Sequence, residues 1–289
     1  MQIRKNTFKI FLAGFLILIA GFACANLSNG LGSAETTKEQ LFNGVTYIKE
    51  VRTSPRKMVV HIVKIDISRG SIQPLITPAD HPNGDKPYNA RTTTEFAKQN
   101  KVQLAINGHG FTPWYDYKVI YFPHSGDQVA PLGTVISGNF HYLVGEEGKF
   151  PLLIFGGKRP VDISYIAGDP KYAISGTRML VSNGQVEAGL NNSKADPRTA
   201  AGVDATGHQL IIVVVDGRQS SSKGATLQEL AQILVDNGAD KALELDGGGS
   251  STLVLNPKNS PPVILNSPIH QGIPGNERPV ATHIGFFIK

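Results

Sequence analysis

Leu210 to Val215 is the run that most limits how this chain can fold: six consecutive apolar residues, five of them β-branched. A strand with one solvated face alternates apolar and polar residues, so a run without alternation calls for burial on both faces and a central position in a sheet. The run stops at Asp216-Gly217-Arg218-Gln219. Thr226 and Glu229 then form a capping box, and Leu227, Leu230, Ala231 and Leu234 mark one helical face up to the stop at Asn237-Gly238. Another apolar strand follows to Leu245. Strand, helix and strand are expected to form a βαβ unit, with Asp216 and Asp246 on one edge of a parallel pair, where such sheets place their ligands.

The stretch Ala242 to Leu255, ALELDGGGSSTLVL, is the densest in chemistry. Period-two alternation puts Leu243 and Leu245 on one face and Glu244 and Asp246 on the other. Gly247-Gly248-Gly249 has no Cβ to keep another group from the backbone, so its N–H groups can converge on an anion, with Ser250 beside them. No Gly-Lys-Ser/Thr follows, which excludes a Walker loop, and Gly-x-Ser-x-Gly is absent, which excludes a nucleophile elbow.

Before the central strand the pattern is rich in hairpins. Residues 44–51 and 58–67 alternate as strands, and His61, on the apolar face of the second, reads as a hydrogen-bonded core histidine before a catalytic one. Thr92 and Glu95 make another capping box, and the strand from Val102 to Ile106 ends at Asn107-Gly108-His109-Gly110-Phe111, with the backbone exposed at a sheet edge. Aromatics then cluster at Trp114-Tyr115-Asp116-Tyr117 and Tyr121-Phe122, which suits sugar stacking and a β-rich core equally. Turns are expected at 145–148 and at Ser182-Asn183-Gly184, a hairpin whose first strand carries Arg178. Asn256 to Pro279 holds six prolines and reads equally as a loop over the site or a surface excursion. The expected architecture is α+β: a single domain with a mixed β-sheet, a hairpin-rich first half and the βαβ unit near the C-terminus.

The first 25 residues read as a secretory signal peptide. Arg4, Lys5 and Lys9 precede the apolar run from Ile10 to Phe22, and Ala23-Cys24-Ala25 offers a cleavage site. Lipid attachment at Cys24 is the weaker alternative, because Gly21-Phe22-Ala23 matches the usual lipoprotein box poorly. Cleavage takes the formal charge from +5 to +2 and removes the one cysteine, so neither a disulfide framework nor a thiolate metal site is available. Residues 26–43 read as a flexible leader and 44–289 as the folded domain. The mature chain is expected to be secreted or periplasmic, with no membrane span, and nothing in its charge pattern suggests nucleic acid.

Asn107 and Gly108, Asp216 with Arg218, and Asp246 with the glycines thus end three strands, while Arg178 and Arg198 enter from neighbouring ones. Guanidinium groups and backbone N–H donors suit an anionic substrate, with Asp246, Asp216 and Glu244 as candidate catalytic carboxylates. No cofactor is required; a divalent cation, calcium or magnesium, is possible, but no ligand spacing specifies one.

Pro197-Arg198-Thr199-Ala200, Val215-Asp216-Gly217-Arg218 and Leu245-Asp246-Gly247-Gly248-Gly249-Ser250-Ser251, in this order and spacing, resemble the phosphodiester glycosidase family. The resemblance runs from about Arg91 to the C-terminus. It implies hydrolysis of a glycosyl-1-phosphodiester of the N-acetylglucosamine type, releasing free sugar and a phosphomonoester. Glu244 stands where the family often has Asn, and His109 where it often has Gly. The competing expectation is a non-catalytic envelope module that binds anionic glycan or exopolysaccharide.

Overall fold

The computed structural model describes residues 35–117, 120–146 and 148–289. The expected signal peptide, Cys24 and the first part of the expected leader lie outside the described residues. Its strands, in chain order, are β1 (Glu35–Phe42), β2 (Val45–Arg52), β3 (Met58–Asp66), β4 (Ile72–Ile76), β5 (Leu104–Asn107), β6 (Arg178–Ser182), β7 (Gln185–Val186), β8 (Arg198–Val203), β9 (Gln209–Val215), β10 (Lys241–Glu244), β11 (Leu253–Leu255), β12 (Val263–Ile264) and β13 (His283–Ile288), with shorter strands between β5 and β6 and near residue 270. Helices α1 (Thr93–Asn100) and α2 (Leu227–Asp236), of 8 and 10 residues, are the two α-helices among the described residues. Neither is long and apolar enough to cross a membrane.

The fold is mainly β, which corrects the α+β expectation. One sheet runs β1-β2-β3-β9-β8-β10-β6-β7, and every neighbouring pair is antiparallel. The expected βαβ unit fails because β8 lies between β9 and β10, pairing Arg198 with Val215 on one side and Ala200 with Glu244 on the other. The turn at Thr206-Gly207 folds β8 back onto β9 and fills the place a parallel partner would need. A second sheet runs β12-β11-β5-β13-β4, and a third joins short strands between residues 135 and 175.

The central strand is buried on both faces because it has a different core on each. Ile211, Val213 and Val215 pack with Leu227, Leu230, Ala231 and Leu234 of α2. Leu210, Ile212 and Val214 pack with Leu243, Leu245, Ile106, Leu253 and Phe286. Each fully buried side chain of this size contributes about 1.5–3 kcal/mol. Both capping boxes form: the Thr92 hydroxyl accepts from the Glu95 N–H and the Thr226 hydroxyl from the Glu229 N–H, and a cap of this kind is worth about 1 kcal/mol.

Two local expectations change. Glu35–Phe42, placed in a flexible leader, is strand β1, paired with β2 through a turn at Asn43-Gly44. Among the described residues the strands flanking the expected hairpin through 145–148 pair elsewhere: Phe140–Tyr142 with Val135–Ser137, and Leu152–Phe155 with Val161–Ser164 and Tyr172–Ser175. The hairpin at 182–185 does form, with Asn183 and Gly184 at φ 52° and 70°, the left-handed pair that a tight two-residue turn requires.

Candidate active site

The C-terminal ends of β9 and β10 and the N-terminal ends of β8 and β6 share one edge of the large sheet, since Arg198 pairs with Val215 and Arg178 with Glu244. A cleft of about 420 Å³ opens at this edge, lined by Arg178, Arg198, Arg218, Arg278, Asp196, Glu244, Asp246, Gly247 and Gly248, with Trp114, Phe111 and Leu132 among its apolar walls. Four cations face three carboxylates.

Two of those carboxylates are bound to arginines. Arg178 Nε donates to Glu244 Oε2 at 3.0 Å and Arg198 Nη1 to Oε1 at 2.9 Å, so Glu244 fixes one guanidinium on each side of β10. Burial pushes the Glu244 carboxyl up, against the pull of Arg198 and Arg178. Asp196 accepts from Arg218 Nε at 3.1 Å and lies 3.0 Å from Lys194 Nζ. Its partial burial works upward, yet the hydrogen bonds from Lys194 and Arg218 hold its carboxyl below the ordinary range. The Arg178 and Arg218 side chains remain 51% and 47% exposed, leaving both guanidinium groups open to a ligand.

Asp246 is the third. It keeps some accessible surface, but the protein packs closely round its carboxyl and burial pushes it up, against the Ser250 hydroxyl, the Arg278 charge and the Gly247 amide. Its turn is held from beneath. Asn107 Nδ2 donates to the Asp246 carbonyl at 2.7 Å, and Asn107 Oδ1 accepts from Thr199 Oγ1 at 2.9 Å and from the Thr252 N–H at 3.2 Å. The Asp246 N–H donates to the Gly108 carbonyl at 3.0 Å, and a Cβ at Gly108 would lie 2.5 Å from Thr282 Oγ1. Asn107 and Gly108 therefore support the site from below rather than line it.

The glycine run offers less of the expected anion nest than its sequence suggests. It forms a short 3₁₀ turn, Gly248–Ser250, in which the Gly248 N–H donates to the Pro197 carbonyl, the Ser250 N–H to that of Gly247 and the Ser251 N–H to that of Gly248. Of the three glycine N–H groups, that of Gly248 is thus used by the fold, while the Gly247 amide acts on the Asp246 carboxyl. What the glycines supply is room: Gly248, at φ +62°, lies under the Arg218 guanidinium, and a Cβ at Gly249 would come within 2.6 Å of Arg278 Nη2.

Arg278 is the cleft residue that the sequence reading missed, as it did Asp196; Trp114, of the aromatic cluster, lies beside Arg278. Its guanidinium carbon sits 5.0 Å from the centre of the Trp114 ring, Nη2 lies 3.7 Å from Asp116 Oδ2, and Nε donates to His270 Nδ1 at 3.3 Å. Burial and then the Arg278 charge pull His270 down to about 4, which leaves the ring neutral at neutral pH and able to accept that bond. A lone arginine inside a proline-rich stretch was the available signal.

Asp216 lies outside the cleft. It is 5% exposed; Oδ2 is 3.2 Å from His61 Nε2, and Oδ1 accepts from Asn266 Nδ2 at 3.1 Å and from the Ser267 N–H at 2.8 Å. His61 Nδ1 in turn lies 2.7 Å from the Tyr47 hydroxyl, so this histidine is the core residue its position suggested. Asp216 thereby ties down the proline-rich stretch, which Gln219 also holds at Ser267. Among the described residues no group of three or more His, Cys, Asp or Glu side chains is arranged to hold a metal ion.

Residues 100–287 match the profile of the phosphodiester glycosidase family. The chain belongs to that family. Over 59 residues it is 48% identical to the bovine N-acetylglucosamine-1-phosphodiester alpha-N-acetylglucosaminidase and 46% to the human one. That stretch is 20% of this chain and 11% of each of those proteins, so the match spans about a tenth of their length. Among solved structures, the zebrafish catalytic domain of that name is similar at a TM-score of 0.57 and 21% identity, over 89% of this chain and 88% of that one. A protein of Burkholderia pseudomallei is similar at 0.65 and 12% identity, over 90% and 97%. At these identities the structural likeness concerns the fold. Within the family's span, this phosphodiester glycosidase fold brings seven of the expected site residues, Arg178, Arg198, Arg218, Glu244, Asp246, Gly247 and Gly248, into one cleft.

Proposed function

We propose that the chain is an exported hydrolase that cleaves the bond between sugar C1 and the phosphate oxygen of a glycosyl-1-phosphodiester of the N-acetylglucosamine type. The observation that carries this reading is a cleft in which several arginines surround one carboxylate, Asp246, that is not spent on pinning Arg178, Arg198 or Arg218. Arg178 and Arg218 hold the phosphodiester oxygens through charge-assisted hydrogen bonds, each worth about 1.5–3 kcal/mol. Arg278 faces the same phosphate or the sugar beside Trp114.

The leaving oxygen belongs to a phosphate, which departs as a weak base and needs little protonation. The C1–oxygen bond breaks with its electron pair passing to the phosphate, where the arginines balance the charge. Water supplies the new oxygen on C1, and Asp246, made more basic by burial, takes the proton. Glu244 acts by positioning Arg178 and Arg198. Asp216 has no part in the chemistry.

Incubation with an N-acetylglucosamine α-1-phosphodiester tests this. Free reducing sugar and a phosphomonoester should accumulate together, and Asp246→Asn should stop both while the fold survives. Binding without turnover, across a panel of envelope glycans as well, would establish the non-catalytic glycan-binding module instead.

A further inference from the structure

A second pocket, of about 250 Å³, lies next to the arginine cleft, and its walls include Ile136, Leu152, Phe150, Tyr165, Ala167 and Ser175. Its lining holds no arginine or lysine, and its ionisable residues, Glu146 and His141, are both exposed. Two buried polar groups stand out here, Ser175 in the lining of the pocket and His109 behind it. Ser175 is fully buried and its hydroxyl has no hydrogen-bond partner. His109, 4% exposed and edge-on to Phe150 at 5.8 Å, has an unpartnered Nδ1, and burial pulls the ring down to about 4. A Cβ on Gly133 would lie 2.6 Å from Ser175 Cβ and 2.8 Å from the His109 ring, so the two residues meet at this glycine. A buried hydroxyl without a partner costs about 1–3 kcal/mol, which a ligand atom paired with Ser175 would recover.

The wall between the pockets is thin. Thr134 and Ser175 line the second pocket, while Leu132 and Thr177, each two residues away along the chain, line the arginine cleft. The residues between are both glycines, Gly133 and Gly176. Two residue steps span at most about 7 Å, a distance that a phosphate ester and its first carbons can bridge. Leu132, Leu143 and Tyr165, 48%, 69% and 45% exposed, supply apolar surface along the way.

We propose that this pocket binds the group on the far side of the phosphate: a neutral, mainly apolar group about the size of one ring, bearing one hydrogen-bonding atom that pairs with the Ser175 hydroxyl. The assignment rests on the arginine cleft being the phosphodiester site. His109 stands behind this wall, edge-on to Phe150.

Calorimetry with two phosphate monoesters, methyl phosphate and 4-hydroxybenzyl phosphate, tests the pocket without requiring turnover. The hydroxybenzyl ester should bind at least tenfold more tightly. Ala167→Phe, which fills the pocket, should abolish that preference and leave methyl phosphate binding unchanged. Ser175→Ala should weaken the hydroxybenzyl ester alone while raising Tm, because the free protein leaves this hydroxyl unpaired. Equal affinity for the two esters, or a preference that survives in both variants, would overturn the proposal. Should Ala167→Phe fail to fold, Ser175→Ala carries the test. The proposed hydrolysis is judged separately by sugar release, so a preference without turnover would sink the reaction and keep the pocket.

Discussion

Two strands of the same sheet end in the same way, Val215-Asp216-Gly217 and Leu245-Asp246-Gly247, and their aspartates come to opposite ends. Asp216 is enclosed by Asn266, the Ser267 amide and His61. Asp246 opens on a cleft with four arginines. The difference comes from what covers each strand end. The proline-rich stretch folds over β9 and consumes the carboxylate there, whereas β10 ends beside Gly248 and Gly249, which clear space for Arg218 and Arg278. An acidic residue after a buried strand is therefore no guide to chemistry until its partners are known.

The contrast can be broken most directly with Asp246→Asn, which should lower turnover of the phosphodiester by about 10²–10⁴ in kcat with KM little changed. A comparable loss in an Asp216 variant that remains fully folded would erase the distinction. Asp216→Ala should act on stability instead. It strands the Asn266 amide, the Ser267 N–H and His61, at a cost of about 3 kcal/mol in urea unfolding. Glu244→Gln weakens the hold on Arg178 and Arg198, and KM should rise about tenfold with kcat nearly constant, roughly the loss of one charge-assisted hydrogen bond.

The smallest effect is in the pH dependence of stability. Burial raises the Asp246 carboxyl above its unfolded value, so the folded state disfavours its ionised form. That contribution to stability is complete below the unfolded value and is lost as pH rises through the folded one. Asp246→Asn should therefore raise Tm at pH 7, and the gain should fade below about pH 4, where the native carboxyl is protonated in both states. A gain that persists unchanged at low pH would show that packing, not charge, limits the wild type.

Much of the site could be read from the sequence because strand ends carry local marks. The Asp-Gly steps after Val215 and Leu245, and Arg198 at the start of a strand, are visible in single stretches of sequence. Arg278 was not, because its place depends on Trp114, Asp116 and His270, contacts made across distant loops. The roles of Asp216 and Asn107 were hidden for the same reason, since burial and partners separate a structural carboxylate from a functional one. In the fold, the apolar run and both capping boxes announced the central strand and the helices correctly. The βαβ expectation failed on pairing: α2 connects β9 to β10, but β8 had already taken the position between them.

Strand β13 pairs with β5 on one side and β4 on the other, so a strand formed from residues 283–288 occupies an interior place in the second sheet. Val280, just before it, bridges to Arg91, and Arg278 enters the cleft two residues earlier. A chain that emerges from its N-terminus can prepare the β3–β9–β8 layer but cannot close the second sheet, or deliver Arg278, until these late residues arrive. Assembly of the cleft therefore waits for Arg278, which follows every other residue that lines it in the order of synthesis.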